Sequence, residues 1–163
     1  MEREHQHQIT LRPVQPDDEL FLFELYASTR ADELAALAWD AATRQLFLRQ
    51  QFQAQQAHYQ SYYPTGDHQI ICVAGVAAGR IYIERSVEKL HLLDIALLPA
   101  QRGRGIGGAL MEVLLAETAQ AALPVTLYVY RFDQRVLGWY ERLGFAIIGD
   151  TGMYYLMERR QAA

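Results

Sequence analysis

Apolar positions along this chain recur with two spacings, and each predicts a different element. Ile9 to Arg12 alternates in strand fashion and predicts a short first strand, after which Pro13 and Pro16 break the chain. Asp17 or Asp18 suits the N-cap of a helix over Glu19–Thr29, with Leu20 and Phe23 facing inward and Leu22 and Tyr26 as further candidates for that face. A longer helix is expected over Ala41–Tyr62, capped by Asp40. Its Leu48, Phe52 and Tyr59, with Tyr63 just beyond, fall on one side of the helical period. Gln50, Gln51, Gln53, Gln55 and Gln56 are good helix formers and predict a solvated face, and Pro64 and Gly66 end the segment.

Three strand-like runs follow, Gln69–Ala74, Gly79–Arg85 and Lys89–Leu98, with Gly75 and Ser86 near the turns, which suits a meander. Beyond Pro99 and the segment Gln101–Gly108, helical spacing returns to about Ala122, with Leu110, Met111, Leu114, Leu115 and Thr118 inward. Val125–Tyr130 reads as a buried strand, Asp133–Leu143 as a helix, and Phe145–Gly149 and Tyr154–Glu158 as the last two strands. Strands alternate with helices only in the second half. The expected fold is therefore α/β with a mixed sheet, antiparallel at first and parallel around the glycine-rich turn.

Composition narrows the function. The 163 residues, 51% apolar, fit one domain, because two of roughly 100–150 residues each would not fit. Cys72 is the single cysteine, so no internal disulfide forms and a reducing compartment is the simpler expectation. Fifteen Lys and Arg against nineteen Asp and Glu give a net charge of −4. That argues against a nucleic-acid partner held by bulk charge, while leaving room for a local basic pocket. The N-terminal MEREHQHQ lacks the apolar core of a signal peptide, and the apolar runs are far shorter than the ~20 residues that span a bilayer. A cytoplasmic protein with no membrane partner is the expectation. His5 and His7 sit near the terminus, and His58, His68 and His91 show no ligand spacing with Cys72, so no metal site is expected.

The segment Gln101-Arg102-Gly103-Arg104-Gly105-Ile106-Gly107-Gly108 is the most informative. Its four glycines, between a strand and a helix, let the backbone approach a ligand without Cβ atoms in the way. The helix starting there would point unpaired N–H groups and its positive dipole end at the turn, stabilising an anion by ~0.3–1 kcal/mol at an exposed site. Arg102 and Arg104 add charge, so the segment reads as a phosphate or pyrophosphate cradle; a plain packing turn leaves the two arginines without a role. Gly103 to Gly108 formally satisfies the dinucleotide fingerprint, but Pro99–Arg102 separates strand from glycines and the next strand ends Tyr128-Val129-Tyr130-Arg131 without the ribose acid. No Lys-Ser/Thr pair completes a P-loop.

Arg102-x-x-Gly105-x-Gly107 resembles the pyrophosphate-holding signature of the GNAT superfamily of N-acetyltransferases. Leu92-Leu93-Asp94-Ile95-Ala96-Leu97-Leu98-Pro99 is similar to that family's fourth strand, and Trp139-Tyr140-Glu141-Arg142-Leu143-Gly144-Phe145 to its Tyr-Glu-x-x-Gly-Phe block. The likeness covers residues 69–158 closely and the first 65 in element order only. It implies a mixed, splayed sheet of about six to seven strands flanked by about four helices. It also implies one N-acetyltransferase domain over 1–163, with acceptor-side helices in 1–66 and a cofactor-binding core in 67–160. Acetyl-coenzyme A would be the co-substrate and a small-molecule or peptide amine the acceptor. Dimerisation, common in the family, is left open.

By position, the resemblance assigns the pantetheine arm to the backbone of Ile95, Ala96 and Leu97. The pyrophosphate falls to Arg102 and to the amides of Gly103, Arg104, Gly105, Ile106, Gly107 and Gly108. Arg131 and Arg135 are free to meet other phosphates or, as surface arginines more often are, to be merely solvated. Tyr140 falls where the family places its general acid, and a phenol with an ordinary pKa of about 10 can protonate a leaving thiolate at neutral pH. Asp133 stands where relatives commonly carry a cofactor-contacting Asn; an aspartate also suits the N-cap of the helix that follows. A base is needed, because a lysine-like amine is neutral in only about one molecule in 2,500 at pH 7. His91 and Asp94 are the candidates, Glu84 a weaker third, and Tyr128 occupies a position where other relatives have glutamate. Trp39, Phe52, Tyr59, Tyr62 and Tyr63, with Asp32, Glu33 and Asp40, could wall an amine site or simply pack. The alternative is a coenzyme A-binding sensor of the same fold without turnover.

Overall fold

The computed structural model describes residues 8–161; His5 and His7 lie outside them. Its strands are β1 (Ile9–Pro13), β2 (Asp67–Val73), β3 (Val76–Arg85), β4 (Leu90–Leu97), β5 (Val125–Tyr130), β6 (Ala146–Asp150) and β7 (Tyr154–Arg159). The helices are α1 (Glu19–Ala35), α2 (Ala41–Tyr62), α3 (Ile106–Ala121) and α4 (Gln134–Arg142). The strands form one mixed sheet in the order β1-β2-β3-β4-β5-β7-β6. By chain packing there are two compact units: Met1–Tyr82 with Asp94–Gly107, and Ile83–Leu93 with Gly108–Ala163.

In the first unit β1 pairs antiparallel with β2, from Ile9 opposite Val73 to Pro13 opposite Gln69. Its core gathers Leu22, Phe23, Tyr26 and Leu34 from α1, Leu48 and Phe52 from α2, and Ile70 and Cys72 from β2. The Phe52 ring meets Phe23 edge-on at 5.6 Å. Helix α1 differs from expectation in two respects. It continues past Thr29 to Ala35, because Leu34 is buried in the core and anchors two further turns of otherwise polar residues. Leu20, expected inward, is 62% exposed, while Leu22, Phe23, Leu25 and Tyr26 carry the buried face. Asp18 is spent elsewhere than on the cap: its carboxylate takes both Arg12 Nη1 and Nη2 at 2.8 Å and the Gln15 amide at 2.8 Å. Asp40 does cap α2, accepting from the Thr43 amide at 2.7 Å.

In the second unit α3 buries Leu110, Met111, Leu114 and Thr118, with Leu115 half-buried. β5 pairs antiparallel with β7 along its length, and β6 closes on β7 with a bulge between Ile147 and Gly149. β5 pairs parallel with β4 from Leu90 opposite Val125 to Leu92 opposite Leu127, the parallel step expected around the glycine-rich turn. No helix among the described residues is long and apolar enough to cross a membrane, and none of their His, Cys, Asp and Glu side chains group to hold a metal ion.

Candidate functional site

The glycine-rich turn adopts the conformation its composition demands. Gly103 and Gly105 have φ of 72° and 81°, a region that costs other residues roughly 1–2 kcal/mol. A Cβ built on Gly103, Gly105 or Gly108 meets nothing within 4 Å. These glycines therefore keep open space above the backbone, where a ligand can approach the amides at the start of α3. Four N–H groups at that end have no partner within the helix. The space, the free donors and the positive end of α3 together fit a diphosphate.

The arginines divide. Arg102 folds back, with Nε donating to the Leu97 carbonyl at 3.0 Å and Nη2 reaching Ser28 Oγ at 3.5 Å, so its guanidinium ties the end of β4 to α1. Arg104 remains on the exposed turn, with a 3.4 Å contact to Gln101 Oε1. Arg131 is engaged as well, donating to Tyr155 Oη at 3.0 Å and the Gly152 carbonyl at 2.9 Å, beside Asp150. It fastens the β6–β7 turn.

The ladder of β4 with β5 reaches only Leu92. On the other side, the Leu98 amide donates to the Ala78 carbonyl at 2.8 Å, and a Cβ on Gly79 would stand 2.1 Å from the Ala96 carbonyl, so only glycine permits this approach of β3. Leu98 thus turns its amide to β3, whereas Leu90, of the same parity, donates to the Pro124 carbonyl at the start of β5, so the regular alternation of β4 is interrupted between them. The Leu97 carbonyl is already taken by Arg102.

His91 is buried, 6% exposed, with Nδ1 at 2.8 Å from Thr126 Oγ1 and its ring edge-on to Tyr128 at 5.6 Å. Burial, and then the Lys89 charge, push its pKa down to about 4. Asp94 lies two residues beyond the last rung with β5, and its Oδ2 accepts from Arg80 Nε at 2.7 Å. Tyr140 sits in the last turn of α4 at 6% exposure, edge-on to Phe145 at 5.4 Å and tilted against Trp139 at 4.8 Å. Asp133 is the N-cap of α4, accepting from the Val136 amide at 3.1 Å. Asp133→Ala should therefore lower stability to urea by ~1 kcal/mol, and Asp133→Asn, which keeps an acceptor, by only a few tenths.

The aromatic wall expected of the first 66 residues is divided. Phe52 belongs to the core, Trp39 packs on Phe47 at 5.1 Å, and Asp40 and Glu33 are used by the α2 cap and by Arg30. A buried polar cluster was not legible in the sequence. Arg80, on β3, has a side chain only 5% exposed, bonds Asp94, and donates through Nη2 to Gln55 Oε1 at 2.8 Å. Gln55, expected on a solvated face, is drawn inward by it. A single arginine in the apolar run Ala77-Ala78-Gly79-Arg80-Ile81 is the signal that marks such a cluster, because a buried charge requires a partner.

A family model of the acetyltransferase (GNAT) domain matches residues 66–147. The chain belongs to the GNAT acetyltransferase family. The match spans the glycine-rich turn, the end of β4 and the Tyr140 block. Solved structures share this GNAT fold at low identity. The PaiA N-acetyltransferase of Thermoplasma acidophilum, crystallised with coenzyme A, is 19% identical over 93% of this chain and 98% of its own, with a TM-score of 0.68. An acetyltransferase of Thermus thermophilus is 17% identical over 96% and 99%, at 0.69. Arabidopsis thaliana Naa50, in complex with the bisubstrate analogue CoA-Ac-MVNAL, is 15% identical over 93% and 98%, at 0.59. A search of curated proteins finds no match.

Proposed function

We propose that this GNAT protein transfers the acetyl group of acetyl-coenzyme A to a primary amine by direct attack in a ternary complex. The observation that carries the reading is the turn in which Gly103 and Gly105 hold positive φ with nothing above them, at the positive end of α3. Coenzyme A in the PaiA structure and the bisubstrate analogue CoA-Ac-MVNAL in that of Naa50 support the choice of carrier. The amides from Gly103 to Gly108 would hold the diphosphate, and the backbone of Ile95, Ala96 and Leu97, whose Leu97 carbonyl already accepts from Arg102, the amides of the pantetheine arm, as a strand edge accepts a peptide. Residues 1–66 form the acceptor side and 67–160 the carrier side in this reading. When bound, the carrier supplies a thioester carbonyl to the amine. The nitrogen forms its bond to that carbon as the C–S bond breaks, the sulfur takes a proton from the Tyr140 hydroxyl, and the amine gives up its proton towards Asp94 and water. Asp94 is preferred to His91 as the group that meets the amine, because its side chain is 30% exposed, whereas His91 is buried with Nδ1 on Thr126 Oγ1. Cys72 is buried on β2, which favours direct attack over an acyl-cysteine.

Incubating the protein with acetyl-coenzyme A and benzylamine, putrescine or alaninamide, and following free thiol, tests the reading. Amine-dependent thiol release is expected; its absence, with coenzyme A bound in calorimetry, leaves the sensor alternative. Gly105→Ala forces alanine to φ near 81°. It should weaken coenzyme A roughly tenfold, as a strain of ~1–2 kcal/mol implies, while circular dichroism is unchanged.

A further inference from the structure

The Arg80 cluster offers more than a buried ion pair. Arg80 and Tyr82 are two apart on β3 and share a face, as Gln55 and Tyr59, four apart, share one face of α2. Arg80 is held from three sides: Nε on Asp94, Nη2 on Gln55, and its guanidinium carbon 5.8 Å from the Tyr59 ring centre. The pair is lopsided, with an Arg80 side chain 5% exposed and an Asp94 side chain 30% exposed. Arg80 occupies Oδ2, and Oδ1 takes no other bond among the described residues. What a ligand meets is therefore the open oxygen of an acid whose direction a hidden guanidinium dictates. Close by, His68 stacks on Tyr82 at 4.2 Å, and its Nε2 is buried without a hydrogen-bond partner. Apolar residues would fill this layer more stably than an ion pair, and an orphaned nitrogen in it calls for a partner from outside.

We infer that Arg80 and Gln55 are positioning residues that aim Asp94 Oδ1 at the N–H of the acceptor amine. The inference rests on the acyl-transfer reading for its substrate and adds the residues that orient it. Lysine cannot replace Arg80, because a point charge lacks the planar fork that serves Asp94 and Gln55 together. Removing Gln55 frees one end of the guanidinium, and a glutamate there restores an acceptor oxygen.

The test measures each KM separately and, by calorimetry, the binding of benzylamine, putrescine and alaninamide. Arg80→Lys and Gln55→Ala should each raise KM for the amine roughly tenfold, the loss of one hydrogen bond to a charged group, with KM for acetyl-coenzyme A unchanged. Gln55→Glu should return the amine KM to near its original value, and Asp94→Asn should weaken amine binding in calorimetry. Gln55→Ala keeps a strong helix former in α2, so a folded variant is expected even if Arg80→Lys fails to fold. Unchanged amine KM in Gln55→Ala, equal shifts in both substrates, or wild-type protein that binds none of the three amines overturns the inference. Amine binding by the wild type without thiol release would defeat the acyl-transfer reading alone.

Discussion

Tyr140→Phe should lower turnover by about two orders of magnitude or more while KM for acetyl-coenzyme A stays within about twofold. The substitution is conservative where packing decides. The ring is 6% exposed and held between Phe145 and Trp139, and phenylalanine keeps both contacts. Its place in the last turn of α4 is secured by the chain's return, with the Phe145 amide donating to the Tyr140 carbonyl at 3.1 Å and Gly144 at φ 93° ending the helix. Only the hydroxyl is lost. A stability cost of ~1 kcal/mol for a buried hydrogen-bonding group should be measured separately in urea, so that a folding defect is not mistaken for a chemical one. A leaving thiolate without its proton donor returns to the carbonyl, so the loss should fall on kcat rather than on carrier binding. Turnover equal to that of the wild type would remove Tyr140 from the chemistry.

Stability should fall steeply between pH 6.5 and 4, well before ordinary acid denaturation of carboxylates. Burial pushes both His68 and His91 down to about 4 from 6.5, the Arg80 charge adding to the effect at His68 and the Lys89 charge at His91. Both rings are neutral in the folded chain, whereas the unfolded chain binds their protons from pH 6.5 downward. Their contribution is complete above the unfolded pKa and is lost as pH drops through the folded one. The shift of the buried His91 corresponds to roughly 3 kcal/mol, a large part of an ordinary domain's stability, and that of the half-buried His68 to less because solvent screens it. Asp18, lowered to about 2 chiefly by its hydrogen bonds from Arg12, loses its contribution only below pH 3.8. The midpoint of urea unfolding at pH 7, 5.5 and 4.5 should show the slope, and His91→Gln should flatten it. A midpoint that does not move over this range would show that the two rings gain protons in the fold as easily as in the open chain.

The chemistry that was legible in the sequence was local. Asp40 and Asp133 announced caps that the structure shows on Thr43 and Val136, because an N-cap is decided within four residues. The glycines of the turn were legible for the same reason: positive φ is a property of one residue and its neighbours. The contacts of Arg102 lie beyond that range. Its charge suggests an anion, and the structure adds contacts to the Leu97 carbonyl and Ser28 that no local pattern announces.

By itself, then, the amino-acid sequence determined the element types, the alternation that makes a mixed sheet, the open glycine turn and, through the combined motifs, the GNAT family. Those are set by periodicity and by short-range backbone preferences. The tertiary structure decided which polar groups are consumed. Gln55 lies 25 residues from Arg80, and Asp94 14, and no spacing rule joins residues drawn from α2, β3 and β4. The low pKa of His91 has the same origin, since desolvation belongs to the packed environment and not to the residue.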